Sequence, residues 1–142
     1  MPYSYSEHIS DIGIKASGPD LKSAFEEGVA AMLDIMFELD TIDEREGFVI
    51  SAEAGDIETL FVEVLNEVLS VQGLNELALK RTKADEIRRE ENRYLFRGTA
   101  FGEKFDREKH GVKTEVKGAT YSGLRYNGGR GGVFELECIL DV

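Results

Sequence analysis

Between residues 19 and 39 the apolar positions Leu21, Phe25, Val29, Met32, Met36 and Leu39 recur at intervals of three or four. That spacing places them on one stripe of a helix, and Asp20 sits near its start, where the backbone dipole favours an anion. From residue 56 to about residue 72 the pattern returns in Ile57, Leu60, Phe61, Val64, Leu65, Val68 and Leu69, with Gly73 placed to end the second helix. Between the two the period drops to two: Phe48, Ile50, Ala52 and Ala54 alternate with Val49, Ser51 and Glu53. A strand of that kind has one apolar face to cover, and the helices can cover it.

The second half reads mostly as strands, over residues 94–102, 115–126 and 133–141, with a weaker one over 83–90. Asn127-Gly128-Gly129-Arg130-Gly131-Gly132 separates the last two, and Asn-Gly tolerates the positive φ of a tight hairpin. Phosphate-cradling glycine loops lead from a strand into a helix, whereas this one leads into Val133-Phe134-Glu135-Leu136. Two amphipathic helices packed on a mostly antiparallel or mixed sheet of about six strands make an α+β two-layer sandwich the expected fold.

The 142 residues suit a single domain spanning 1–142, able to bury a core without a disulfide or a structural metal. Seventeen Lys plus Arg against 28 Asp plus Glu leave a net charge of −11, which argues against direct nucleic-acid binding. The charge is uneven: residues 1–79 hold 3 basic and 17 acidic side chains, residues 80–142 hold 14 and 11. Acidic helices lying over a more basic sheet, with the signs interleaved in space, account for this more simply than a polarised surface. A hydrophobic share of 42% is too high for disorder, and no apolar run is long enough to span a membrane. One cysteine, Cys138, allows no internal disulfide, and MPYSYSEH lacks the basic start and apolar stretch of a signal peptide, so a reducing, cytoplasmic setting is expected.

Candidate chemistry is sparse. Cys138 alternates with Phe134, Leu136 and Leu140 and reads as core filler. His8 and His110 are the two histidines, and neither has metal-ligand spacing or a serine-nucleophile motif beside it. Asp141 adjoins the terminal carboxylate of Val142, so two anionic oxygen donors stand one residue apart. If Asp11 folded onto them, a hard cation such as Ca²⁺ or Mg²⁺ could join all three. From the residues alone the plainer reading carries more weight: Asp11 caps a turn and the C-terminus frays. The polar segment 102–110, with Glu103, Asp106 and His110, reads as a solvated connection between strands.

Four blocks in order nevertheless resemble the archease family: Glu7-His8-x-x-Asp11, Gly102-Glu103-x-Phe105-Asp106-x-x-x-His110, Glu115-Val116-Lys117-x-x-Thr120-Tyr121 and Ile139-Leu140-Asp141-Val142, together with Leu65-Asn66-Glu67 in the acidic helix pair. The resemblance runs the full length. It implies a non-enzymatic accessory protein of tRNA splicing that activates an RtcB-type RNA ligase, promoting its guanylylation and multiple turnover. It also implies a bound divalent metal, usually calcium, with Mg²⁺ or Mn²⁺ as alternatives, whose ligands map to Asp11, Asp141 and the terminal carboxylate of Val142. His8, Asp106 and His110 match the pattern as residues behind the metal or against the partner. The chain departs from the family in having Ser122 where a histidine often follows Thr-Tyr, and Val133 where an aromatic often enters the last strand. Rival expectations are a general protein chaperone, a modulator of tRNA-modifying enzymes, and a metal-dependent hydrolase using Asp11 and Asp141, for which no motif supplies a nucleophile or base.

Overall fold

The five segments read as strands and the two period-3.6 segments read as helices form strands and helices in a computed structural model that describes residues 11–142, where three further strands bring the total among the described residues to eight. In chain order these are β1 (Asp11–Gly18), α1 (Leu21–Met36), β2 (Phe37–Glu38), β3 (Glu46–Ala54), α2 (Ile57–Leu74), β4 (Leu77–Glu90), β5 (Arg93–Lys104), β6 (Gly111–Val112), β7 (Gly118–Gly128) and β8 (Phe134–Asp141). Short 3₁₀ turns occupy Leu39–Thr41 and Arg130–Gly132. Every pairing among the described residues is antiparallel, in sheets ordered β1-β8-β7, β3-β5-β4 and β2-β6. The class is the α+β expected, with more strands than the six or so anticipated. Two of the additional strands, β2 and β6, are two residues long and leave no periodic trace.

Each helix bridges the two larger sheets: α1 packs on β1 and β4, and α2 on β3 and β7. Asp20 caps α1 by accepting from the Ser23 N–H at 2.8 Å, and Asp56 caps α2 through the Thr59 N–H at 2.8 Å. Phe25 anchors the core, edge-on to Phe61 (centroids 5.4 Å apart) and stacked on Phe96 (5.6 Å). The helices meet where Gly28 faces Phe61, since a Cβ there would lie 2.3 Å from the ring. On β3 the alternation behaves as its sequence suggests, with Ile50 fully buried and Ser51 and Glu53 exposed.

Several boundaries differ for local reasons. Helix α1 stops at Met36 rather than near Leu39, because Phe37 pairs with Val112 and turns extended. Helix α2 runs through Gly73 to Leu74, and the positive φ that a glycine usually supplies after a helix falls instead on Glu76 (φ 53°). In the last hairpin Asn127 and Gly128 stay in β7, paired with Glu135 and Phe134, and the positive φ angles belong to Gly129, Gly131 and Gly132. Charges interleave across the two halves of the sequence, as in Arg81 Nε to Glu44 Oε2 (2.8 Å), Lys15 to Glu135 (3.6 Å) and Lys113 to Asp34 (3.9 Å). No helix among the described residues is long and apolar enough to cross a membrane.

Candidate functional site

Asp11 opens β1 and lies directly opposite Asp141 of β8 in the antiparallel ladder. Directly opposed residues of such a ladder share one face of the sheet, with Cβ atoms about 4.5–5.5 Å apart. Asp141 lies on the central strand of its sheet: Gly118 of β7 pairs with it from the other side, and its carbonyl accepts from the Lys117 N–H at 2.8 Å. Asp11 is therefore a strand residue rather than a turn cap. The C-terminus does not fray, because Asp141 is paired on both sides and Val142 packs partly buried against the core.

The opposed carboxylates fit a hard cation in kind. Two like charges across a ladder repel, and an oxygen-liganded ion removes that repulsion. No cluster of three His, Cys, Asp or Glu side chains suited to a metal occurs among the described residues. At this corner the register brings together two side-chain carboxylates that could serve an ion, those of Asp11 and Asp141.

The neighbouring edge is held by a residue to which sequence spacing assigned no role. The Asn66 side chain of α2 donates from Nδ2 to the Ala119 carbonyl (3.1 Å) and accepts from the Ala119 N–H (2.8 Å). One amide thus ties α2 to the beginning of β7, one residue past the Gly118 partner of Asp141. Thr120 Oγ1 donates to the Ile139 carbonyl at 2.9 Å and closes the same end of β7 onto β8.

A second polar cluster forms at the end of β5, on the β3-β5-β4 sheet. Glu103 is 6% exposed, and its carboxylate accepts from the Asp43 N–H (2.8 Å), Arg45 Nε (3.0 Å), Lys109 Nζ (2.9 Å) and His110 Nε2 (2.9 Å). The Asp43 N–H, His110 and Lys109, in that order of weight, hold the carboxyl far below the usual carboxylate range. Lys109 also lies 2.7 Å from Asp43, which lowers the Asp43 carboxyl and raises the Lys109 ammonium.

His110 is buried, and its Nδ1 accepts from the Asp106 N–H at 2.9 Å, so the ring proton resides on Nε2 and points at Glu103. The Asp106 side chain accepts from the Glu108 N–H at 3.0 Å and shapes the same turn. The expected solvated connection is thus solvated only in part, since Glu103 and His110 lie inside it. Both ring nitrogens of His110 are engaged, which leaves none for acid–base work at a substrate. Asp106 and His110 come together with Glu103, and no hydrogen bond or ion pair among the described residues joins them to Asp11 or Asp141. His8 lies outside the described residues.

Cys138 is buried, with Sγ 3.6 Å from the Thr120 carbonyl, and burial pushes its thiol up to about 11. It is packing, as its place in the strand suggests. Spacing could not have revealed Asn66, whose partner Ala119 lies 53 residues away, or the closure of Glu103 on Asp43 and Arg45, 60 and 58 residues away, although its other partners Lys109 and His110 are six and seven residues along the chain. Their one sequence signal was membership in the motif blocks.

Comparison with known proteins gives a consistent picture. The model of the Archease protein family (MTH1598/TM1083) matches residues 3–142. The protein archease of Pyrococcus furiosus is 35% identical over 123 residues, covering 87% of this chain and 86% of that one. The solution structure of Methanobacterium thermoautotrophicum protein 1598 superposes with a TM-score of 0.79 at 25% identity, covering 96% of this chain and 95% of that one. The crystal structure of an archease from Thermotoga maritima, described as a possible chaperone, shares the fold with a TM-score of 0.59 at 22% identity, covering 96% and 94%.

Proposed function

Because the chain belongs to the archease family, we propose that it is an accessory protein of tRNA splicing that activates an RtcB-type RNA ligase, promoting guanylylation and multiple turnover. Its metal corner consists of Asp11, Asp141 and the terminal carboxylate of Val142, with Ca²⁺ as the expected ion and Mg²⁺ or Mn²⁺ as alternatives. The observation that carries this is the pairing of Asp11 with Asp141 across β1 and β8, which sets two carboxylates on one face at the end of the sheet.

Residues of this chain supply the rest. Lys117 and Gly118 fix the Asp141 backbone, and Asn66 fixes the strand beside it. A hard cation neutralising the pair leaves coordination positions for oxygen donors of the partner. The net charge of −11 favours fast approach to a basic, RNA-binding partner, so association slows as salt rises. A role as an accessory protein rather than an enzyme is supported by His110 and Glu103, whose hydrogen-bonding capacity is spent inside the fold.

Ligation of RNA halves in excess over an RtcB-type ligase, with and without this protein, tests the proposal. Wild type should convert a stalled single turnover into many, and Asp141→Ala should not while remaining folded. Equal activation by both proteins overturns the metal corner, and no activation by wild type overturns the ligase role. The second reading, a general chaperone, is favoured by the description of the Thermotoga maritima structure. It would show as suppressed aggregation of an unrelated protein at near-stoichiometric amounts.

A further inference from the structure

Adjoining the Asp141 corner, an apolar groove of about 860 Å³ lies between the C-terminal half of α2 and the segment 112–117. Leu69, Leu77, Phe105, Val112 and Val116 are among the apolar residues that line it. Lys117, whose N–H bonds the Asp141 carbonyl, and Asn66, which holds Ala119, line one end. Gly73 and Glu76 line the other, where the Phe105 N–H bonds the Glu76 carbonyl at 2.9 Å. From Asn66 to Gly73 the helix rises about 10 Å, enough for two turns of a partner helix or three extended residues. Two of the lining side chains are unusually exposed for their type, Phe105 at 40% and Val112 at 58%.

Gly73 is the unexplained residue on this surface. Its φ is not positive, and a Cβ added there would meet nothing within 4 Å. Neither backbone conformation nor internal packing requires glycine at this penultimate position of α2, where alanine is the better helix former. Its missing side chain leaves the wall of the groove low, so that another chain can approach the α2 backbone closely. Of the charged residues lining the groove, Glu76 and Glu115 are carboxylates and Lys117 stands at the Asp141 end. Neither Glu76 nor Glu115 forms an ion pair among the described residues.

We propose that this groove docks a short amphipathic segment of the partner ligase, with apolar side chains seated along α2 and Lys or Arg side chains meeting Glu76 and Glu115. The proposal rests on the accessory-protein reading above and supplies the contact that would hold the metal corner against the ligase. Apolar burial gives such a contact its affinity, and the two carboxylates give it a preference for a basic segment.

The test uses the full chain and the purified ligase, with affinity, multiple-turnover activation, melting temperature and sedimentation measured together. Gly73→Ala should raise the melting temperature, since alanine is the better helix former. Gly73→Leu, which fills the groove, should weaken binding tenfold or more while melting no lower than wild type. The double variant Glu76→Lys with Glu115→Lys should weaken binding and flatten its salt dependence. A purely structural glycine would instead cost stability when replaced and leave affinity untouched. If wild type binds and all these variants bind within twofold of it, the groove proposal is overturned and the ligase role stands. If wild type neither binds nor activates the ligase, both fall. Self-association of wild type that Gly73→Leu abolishes would identify a second copy of this chain as the occupant and overturn the ligase segment.

Discussion

Asp11 and Asp141 face each other across the β1–β8 ladder although 130 positions separate them in sequence. Like charges directly opposed in a sheet cost roughly 0.2–1 kcal/mol. In chelator, Asp11→Asn should therefore leave stability unchanged or raised by about that amount. Calcium should reverse the order. A ligand at a hundredfold over its dissociation constant stabilises by about 2.7 kcal/mol, and only wild type should gain it. Equal calcium-induced shifts of wild type and variant in thermal melts would show that the pair does not hold the ion.

Acid should unfold the protein partly through Glu103. Its carboxyl titrates well below its ordinary value of 4.5 in the folded state because the Asp43 N–H, His110 and Lys109 hold the charged form. A depressed pKa contributes stability that is complete above the unfolded value and lost as pH falls below it. Stability should thus decline as pH drops from about 4.5 towards 2, with Asp43 and Asp20, also held low, adding to the slope. Glu103→Gln should melt several degrees lower at pH 7 and converge on wild type in acid. Parallel pH profiles for the two proteins would refute this assignment.

The Asn66 amide closes two hydrogen bonds on a buried backbone position, so its loss should be felt. Asn66→Ala orphans both the N–H and the carbonyl of Ala119, at a cost of about 1–3 kcal/mol. Asn66→Asp keeps the acceptor but sets a carboxylate against the Ala119 carbonyl, so it should not rescue the loss. Urea titration measures the change, and hydrogen exchange should show faster opening at residues 118–120. Exchange that stays at the wild-type rate would mean that β7 holds its place without α2.

Glu91 sits at φ 54° between Glu90 and Arg93, which pair at the end of the β4–β5 ladder. Side chains other than glycine are strained there, while glycine adopts the conformation freely. Glu91→Gly should raise stability by about 0.5–1 kcal/mol, read as a higher urea midpoint with an unchanged slope. A lower midpoint would show that the entropy of the unfolded chain outweighs the relief of strain.

Both helices and the face of β3 could be read from the chain, because each is dictated by neighbours three, four or two positions away. Phe25, Phe61, Val64 and Ile50 occupy the core for that reason. The aspartate caps, the hairpin before β8 and the burial of Cys138 are likewise local, written in residues a few positions apart. The motif blocks name the family, but periodicity carries no trace of β1, which opens at Asp11. Nor could it set Asp11 against Asp141, close four donors around Glu103, or keep α2 running through Gly73. Those arrangements depend on the register between strands far apart in sequence and on helix faces seated against them. Such registers are chosen by the whole core at once, because a slip of one residue would turn every buried side chain of a strand to the opposite face.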